Sequence, residues 1–224
     1  FMTETTHHAH PAATGFHKFL KEGTQDLHDQ AEAGEFQSRM VEGDLARSEF
    51  ASFLTQMLHL HREIDSVYDE AAEKDPRFAS IYDSSAHKRH HLIQKDLRDL
   101  GVETFSPAFE VTTAFNEAVR NTLATLPVSV LGVLYVKEGA TNGNKFVLQK
   151  IQSTLGLEDD CATGYMDPHG MSQRKRWNQF KRDLNALDLT AEEQESCLGV
   201  ARRSFRMFME ISGCVSKQFD LEKI

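Results

Sequence analysis

The chain has 224 residues, of which 40% are hydrophobic and 26% charged, an ordinary composition for one globular domain with a substantial core. Its formal net charge of -9 argues against a nucleic-acid binder, because neutralising phosphates requires a dominant basic surface. The three cysteines lack the C-x-x-C spacing of a metal site and are interpreted as reduced thiols. No apolar run approaches the ~20 residues of a membrane span and no secretory signal is visible, so we expect a cytoplasmic protein.

The hydrophobic spacing predicts a single all-α domain behind a polar tail. Residues 1–14 show no apolar periodicity and are expected to form a flexible N-terminal tail, with one domain over residues 15–224. Sustained alternation of apolar and polar residues, which would indicate strands, does not occur.

Apolar residues recur at intervals of three, four and seven along the domain, which is the helical pattern. The predicted helical segments begin near Phe16, Ser48, Ser85, Pro107, Pro127, Gly170 and Ala191. The third segment is expected to run unbroken to Leu100, with Gly101 as its C-cap. The fifth continues to Leu155, and the last has Thr190 as N-cap with Glu193 at the capping-box position.

One side of the first helix combines residues that could hold a ligand. Lys21, Thr24, His28 and Glu32 follow at intervals of three and four and therefore share a face. The imidazole could bind a ligand while Glu32, one turn later, orients the ring. Lys21 precedes His28 by roughly 10 Å along the axis, a suitable distance for meeting a carboxylate at the edge of a large planar cofactor. Taken alone, the face also fits a histidine at the boundary of a helical core.

The segment 131–151 is helical in its spacing but contains Gly139 and Gly143. Each interior glycine weakens a helix by ~1 kcal/mol relative to alanine. Such glycines mark a bend or a place where the backbone approaches another group closely, and a planar ligand lying on the helix would be such a group. A tight helix crossing or a loop between two helices are the alternatives.

Together, the two segments resemble the haem oxygenase family. L-K-E-G-T-Q-D-L-H-D-Q-A-E, residues 20–32, is similar to the proximal-helix motif L-K-x-x-T-x-x-x-H-x-x-A-E. Y-V-K-E-G-A-T-N-G, residues 135–143, is similar to the bacterial distal-helix form Y-V-x-E-G-x-x-x-G, and the resemblance covers about residues 16–211. It implies a helical bundle with haem between the proximal and distal helices. It also implies oxidative cleavage of haem b, both cofactor and substrate, to biliverdin, ferrous iron and carbon monoxide.

The resemblance also implies a role for each matched position. His28 matches the proximal ligand of the haem iron, and Glu32 matches the carboxylate near it. The other matched positions are the propionate partners Lys21, Tyr135 and Lys181, the motif threonine Thr24, the pocket aromatic Phe205, and the distal glycines Gly139 and Gly143.

The distal segment departs from the family pattern. Many members carry an aspartate that organises water near bound oxygen, whereas this chain reads Ala140, Thr141 and Asn142. Asn144 also replaces the second glycine of a common pair. We expect Thr141 and Asn142 to anchor the water that protonates the distal oxygen.

The reaction also needs an electron donor, such as a ferredoxin, a flavodoxin or a reductase. A basic cluster on the otherwise acidic chain could receive an acidic donor, or could be a solvated helix face. Its members are Arg174, Lys175, Arg176, Lys181 and Arg182.

Two alternative functions share the expected fold. A non-catalytic haem-binding or haem-sensing protein is compatible with the altered distal segment. A non-haem di-iron oxidase would need ligands among His59, His61, Glu63, Asp65, His87, His90 and His91, but these residues lack the Glu-x-x-His spacing of such sites. The helix that carries His59 and His61 is expected to cross the distal side of a haem pocket.

Overall fold

The computed structural model describes residues 15–158 and 160–221, so the predicted tail, residues 1–14, lies outside the described residues. The regular structure in these two ranges is entirely helical, which confirms the predicted class. The α-helices are α1 (Gly15–Glu32), α2 (Glu35–Glu42), α3 (Arg47–Lys74), α4 (Pro76–Ile81), α5 (Ser84–His87), α6 (His90–Asp99), α7 (Glu110–Thr125), α8 (Leu131–Leu155), α9 (Gln173–Ala186) and α10 (Ala191–Leu221). Short 3-10 turns, Pro127–Val130 and Gly170–Ser172, precede α8 and α9. None of the described helices is long and apolar enough to cross a membrane.

Local sequence determines several of the helix ends. The predicted capping box of α10 is confirmed, because the Thr190 N–H donates to Glu193 at 2.9 Å and the Glu193 N–H donates to the Thr190 hydroxyl at 3.2 Å. Gly156 ends α8 in the left-handed conformation, with a φ of 62°. The loop alternative for the glycine-containing segment is wrong, since α8 runs through Gly139 and Gly143 without a break.

The prediction of one unbroken helix from Ser85 to Leu100 is also wrong. The chain leaves the helical conformation at Lys88 and Arg89, between α5 and α6. The Arg89 and His90 N–H groups donate to Asp65 Oδ2 at 2.8 Å and 2.9 Å. A carboxylate on α3 thus satisfies donors that a continuous helix would have used internally, which local spacing cannot show.

The two motif-bearing helices, α1 and α8, share α10 as a support. A Cβ added to Gly132 of α8 would lie 2.3 Å from the backbone oxygen of Cys197 on α10. A Cβ added to Gly23 of α1 would lie 2.6 Å from the side chain of Leu198, also on α10. Both glycines therefore allow close helix contacts that any larger residue would disturb. Helix α3 supplies much of the remaining core, with Phe50, Phe53, Leu54, Leu58 and Ile64 almost completely buried.

Candidate functional site

His28 lies on α1 with its imidazole available to a ligand. Its side chain is 49% exposed, and its ring nitrogens lie 3.7 Å from the carboxylates of Asp29 and Glu32. These distances are too long for hydrogen bonds, so both ring nitrogens keep their binding capacity. The ring of Phe205 on α10 packs edge-on at 6.0 Å and limits how the imidazole can turn. The predicted ligand, carboxylate and pocket aromatic thus lie together.

Two cations lie toward the N-terminal end of the same face. Lys21 is exposed, and Lys181 on α9 is half-buried with its ammonium 5.6 Å from the Trp177 ring centre. Burial lowers the pKa of Lys181, and the positive charge of Lys21 lowers it further. Among the described residues, no carboxylate pairs with either lysine. Two neighbouring cations without a carboxylate partner are suited to bind the carboxylates of a ligand.

Helix α8 carries Tyr135 and the two glycines. Burial raises the pKa of the Tyr135 hydroxyl, and a hydrogen bond with Thr24 of α1 acts in the opposite direction. Thr24 itself is buried and donates to the Leu20 carbonyl at 2.8 Å. A Cβ at Gly139 would meet Trp177 at 3.6 Å, whereas a Cβ at Gly143 would meet nothing within 4 Å. Packing within the described chain therefore does not require glycine at position 143.

The other two predicted distal residues lie in different environments. Thr141 is buried, and its hydroxyl donates to the Lys137 carbonyl one turn earlier, at 2.9 Å. The hydroxyl oxygen still has lone pairs with which it can accept a further hydrogen bond. Asn142 is exposed. A role for either residue in ordering water stays a prediction.

Comparison with known proteins supplies the deciding observation. The Heme oxygenase family model matches residues 14–213, nearly the whole chain. The chain belongs to the haem oxygenase family. It is 20% identical to heme oxygenase 1 of Bos taurus over 213 residues, which are 89% of this chain and 72% of that relative.

Solved structures confirm the haem oxygenase fold. Heme oxygenase-2 of the cyanobacterium Synechocystis, determined in complex with heme and NO, matches with a TM-score of 0.85 at 17% identity. The match covers 93% of this chain and 88% of that one. A TenA homologue from Pyrococcus furiosus matches with a TM-score of 0.66 at 16% identity, covering 88% and 99% of the two chains. Since that homologue has the same fold, the fold alone does not establish the activity of this haem oxygenase family member.

Two aromatic residues near the lysines were missed by the sequence analysis. His17 is buried, with its ring 5.8 Å from that of Trp177 and 6.2 Å from that of Tyr135. Burial, Lys181 and Lys21 together lower the pKa of His17 to about 4, so the ring is neutral at pH 7. Helical spacing could have indicated both residues: His17 precedes Lys21 by one turn, and Trp177 precedes Lys181 by one turn.

A buried group of charges behind α8 was missed as well. We call Asp65, Arg89, Lys137 and Glu138 the buried charge cluster; their side chains are between 1% and 8% exposed. Lys137 Nζ lies 3.1 Å from Glu138 Oε1, and Arg89 Nη2 lies 3.4 Å from the same atom. Burial lowers the pKa of Lys137 to about 7. Burial on its own raises the pKa of Glu138, but the neighbouring Lys137 and other positive groups lower it to about 2.

Of the residues considered for a di-iron site, His61, Asp65 and His90 lie together, but they are not placed to hold a metal ion. No three histidine, cysteine, aspartate or glutamate side chains within residues 15–158 and 160–221 are placed to hold a metal ion. His59 bonds the Ser106 carbonyl at 2.8 Å, and His87 Nδ1 accepts the Asp83 N–H at 3.0 Å. His59 and His87 are therefore engaged by nearby backbone groups. The di-iron alternative has no group of side chains among the described residues that could bind the metal. His61, in contrast, is buried beside Asp65 in the interior.

Proposed function

We propose that the protein is a haem oxygenase that cleaves haem b to biliverdin, ferrous iron and carbon monoxide, using O2 and reducing equivalents. The observation that carries the proposal is the set of groups on α1 and the neighbouring helices that could hold haem. His28 is half-exposed on α1, Lys21 and Lys181 are neighbouring cations without a carboxylate partner among the described residues, and α8 has an open surface at Gly143. An imidazole, two cations and a bare helix surface fit the iron, the propionates and the flat ring of haem respectively.

Each of these groups has a definite task in the proposed function. His28 would bind the iron as a neutral imidazole, and Glu32, 3.7 Å from its Nε2, would help to orient it. Lys21, Lys181 and Tyr135 would hold the propionates and so set the rotation of the ring. When bound, haem supplies the iron that activates oxygen and the porphyrin that is cleaved. The protein's part is to bind, orient and enclose it.

The distal helix would leave room for oxygen and hold water. Gly139 and Gly143 lie one turn apart and place no side chain over the haem face. Thr141 has hydroxyl lone pairs left for water, and Asn142 is exposed with both its amide donor and acceptor. These properties support the predicted roles of both residues.

An acidic electron donor would dock beside the propionate end. Arg174, Lys175 and Arg182 are exposed on α9, the helix that also carries Lys181. A basic surface on a chain of net charge -9 favours an acidic ferredoxin, flavodoxin or reductase by electrostatic complementarity. The half-buried Lys181 links this surface to the proposed haem edge.

A haem-binding protein without turnover is the second candidate, and the distal stretch Ala140, Thr141 and Asn142 is the observation that favours it. None of these three side chains is a carboxylate, whereas many family members carry an aspartate in this stretch. Haem loading without oxygen, followed by reductant and oxygen, separates the two functions. Loss of the Soret band with growth of a bilin spectrum supports the oxygenase, while a persistent haem spectrum supports the binding protein.

A further inference from the structure

A cavity of about 260 Å³ lies between the C-terminal end of α1, the start of α2 and the second half of α10. Ala31 of α1, Gly34 in the following turn and Phe36 of α2 line one side of it. Phe208 and Ser212 are among the residues that line it from α10. Concave sites with aromatic and aliphatic walls and a few polar groups are typical binding sites for small molecules.

The cavity continues the surface on which the proposed iron ligand lies. Ala31 follows His28 by one turn on α1. On α10, Phe208 follows Phe205 by one turn, and the Phe205 ring packs on the imidazole of His28. Lys21 lies in the opposite direction, roughly 10 Å before His28 along the axis of α1. The cavity and this proposed propionate partner are therefore on opposite sides of His28.

Two serines one turn apart on α10 line the cavity. Ser212 is 7% exposed and Ser216 is 8% exposed, and both hydroxyl oxygens are buried without a hydrogen bond within the described part of the chain. Ser204, also buried on α10, shows the usual alternative, since its hydroxyl donates to the Val200 carbonyl at 3.0 Å. Because buried polar atoms in folded proteins are nearly always satisfied, Ser212 and Ser216 are suited to bond a polar group placed in the cavity.

Small residues keep this part of α10 open. Gly213, between the two serines in sequence, also lines the cavity, and a Cβ added there would meet nothing within 4 Å in the described chain. A larger side chain at this position would therefore occupy the cavity without a clash at its own Cβ. With glycine there, the space is available to a group that projects from the edge of a flat ligand.

We propose that this cavity, here called the edge cavity, receives the haem edge opposite the propionates, and that Ser212 and Ser216 bind a polar substituent on that edge. The inference rests on the proposed function only in that haem binds at His28. In haem b this edge carries vinyl and methyl groups, which form no hydrogen bond with a serine. A hydroxyalkyl or formyl group there would bond the hydroxyls, so the substrate class includes iron porphyrins with such groups.

The preference follows from the cost of burying an unmatched polar group. A hydroxyl that enters an apolar cavity loses its hydrogen bonds to water and gains none, whereas serine hydroxyls restore them. Sites that hydrogen-bond a ligand therefore discriminate strongly between ligands with and without the matching group. In the edge cavity, the two serines supply this discrimination.

The test compares two iron porphyrins of nearly equal size. Mesohaem has ethyl groups where haem b has vinyl groups, and haematohaem has hydroxyethyl groups there. Soret titration gives both Kd values for the parent and for the double variant that combines Ser212→Ala with Ser216→Ala. We expect the parent to bind haematohaem at least as tightly as mesohaem, and the double variant to bind haematohaem about tenfold more weakly than mesohaem. The same ratio of Kd values in the two proteins would overturn the proposal.

Ser204→Ala is the matched control, because its hydroxyl is already bonded within α10, and its ratio of Kd values should equal that of the parent. Thermal unfolding of the haem-free proteins checks folding: loss of two hydroxyls without partners should leave the Tm unchanged or raise it.

Gly213→Leu tests occupancy of the edge cavity rather than its polarity. The added side chain should weaken binding of mesohaem and haematohaem about tenfold relative to deuterohaem, which has hydrogen atoms in place of the vinyl groups. Equal effects on all three porphyrins would also overturn the proposal. If the parent binds haem b without cleaving it, the proposed function fails, while the ratios of Kd values still decide this inference. A parent that binds none of these porphyrins would refute both.

Discussion

Gly143 offers a test that separates folding from haem binding. A Cβ at this exposed helical position would meet nothing within 4 Å, so Gly143→Ala introduces no clash in the haem-free protein. Removing an interior glycine from a helix should raise the free energy of unfolding by ~0.5–1 kcal/mol. For a domain of this size, that gain corresponds to a Tm increase of about 1–4 °C.

Haem binding should respond in the opposite direction. If the haem face packs on α8 at Gly143, the added methyl group is forced into that contact, and overpacking costs ~1–3 kcal/mol. This corresponds to a Kd for haem about 5- to 150-fold higher. Thermal unfolding without haem and Soret titration with haem measure the two effects on the same preparation.

Gly199→Ala on α10 is the matched control. Gly199 is also exposed, helical and without a neighbour within 4 Å of an added Cβ. The control should gain similar stability and keep the parent's haem affinity. If Gly143→Ala binds haem as tightly as Gly199→Ala does, the haem does not pack against this part of α8 and the reasoning is refuted.

Three further predictions follow from the described contacts. Lys21→Ala and Lys181→Ala should each weaken haem binding on the order of tenfold, since a hydrogen bond to a charged group contributes ~1.5 kcal/mol; Soret titrations that show no change would refute their role as propionate partners. Burial lowers the pKa of His87 from 6.5 to about 3 in the folded protein. As the pH falls, His87 therefore becomes protonated in the unfolded state before it does in the folded state. Stability should therefore drop by up to ~1.4 kcal/mol per unit between pH 6.5 and 3, and urea unfolding of His87→Gln should show a flatter pH dependence. Gly132→Ala should lose ~1–3 kcal/mol or more, because its Cβ would lie 2.3 Å from the Cys197 carbonyl oxygen; an unchanged Tm would contradict that packing.

The sequence was most informative where a local pattern alone determines structure. Helical spacing, together with the Thr190 capping signal, predicted the long helices and the start of α10. The break at Arg89 could not be predicted, because the hydrogen-bond acceptor is Asp65, on a different helix. Amphipathic spacing predicts which residues are buried. It does not identify the distant group that accepts a hydrogen bond from a given backbone N–H.

The same distinction applies to the site. His28 and Lys21 share one helix face, as their spacing predicted, and the structure adds Phe205 beside His28 and Lys181 near Lys21. The buried charge cluster was not foreseen, since its members come from three segments that only the fold brings together. Glu138 matches a position of the distal motif, but the motif does not indicate that its side chain is only 2% exposed and lies beside Arg89.

The central claim, that His28 holds the haem iron for haem cleavage, is tested most directly by haem turnover in His28→Ala beside the parent. His28 is half-exposed, so the variant should fold, and His91→Ala serves as a control for loss of an exposed histidine. The parent and the control should lose the Soret band and produce a bilin spectrum after reductant and oxygen are added. His28→Ala should lose the histidine-ligated haem spectrum and fail to turn over, with added imidazole restoring the spectrum. A variant that binds and degrades haem as well as the parent would contradict the claim.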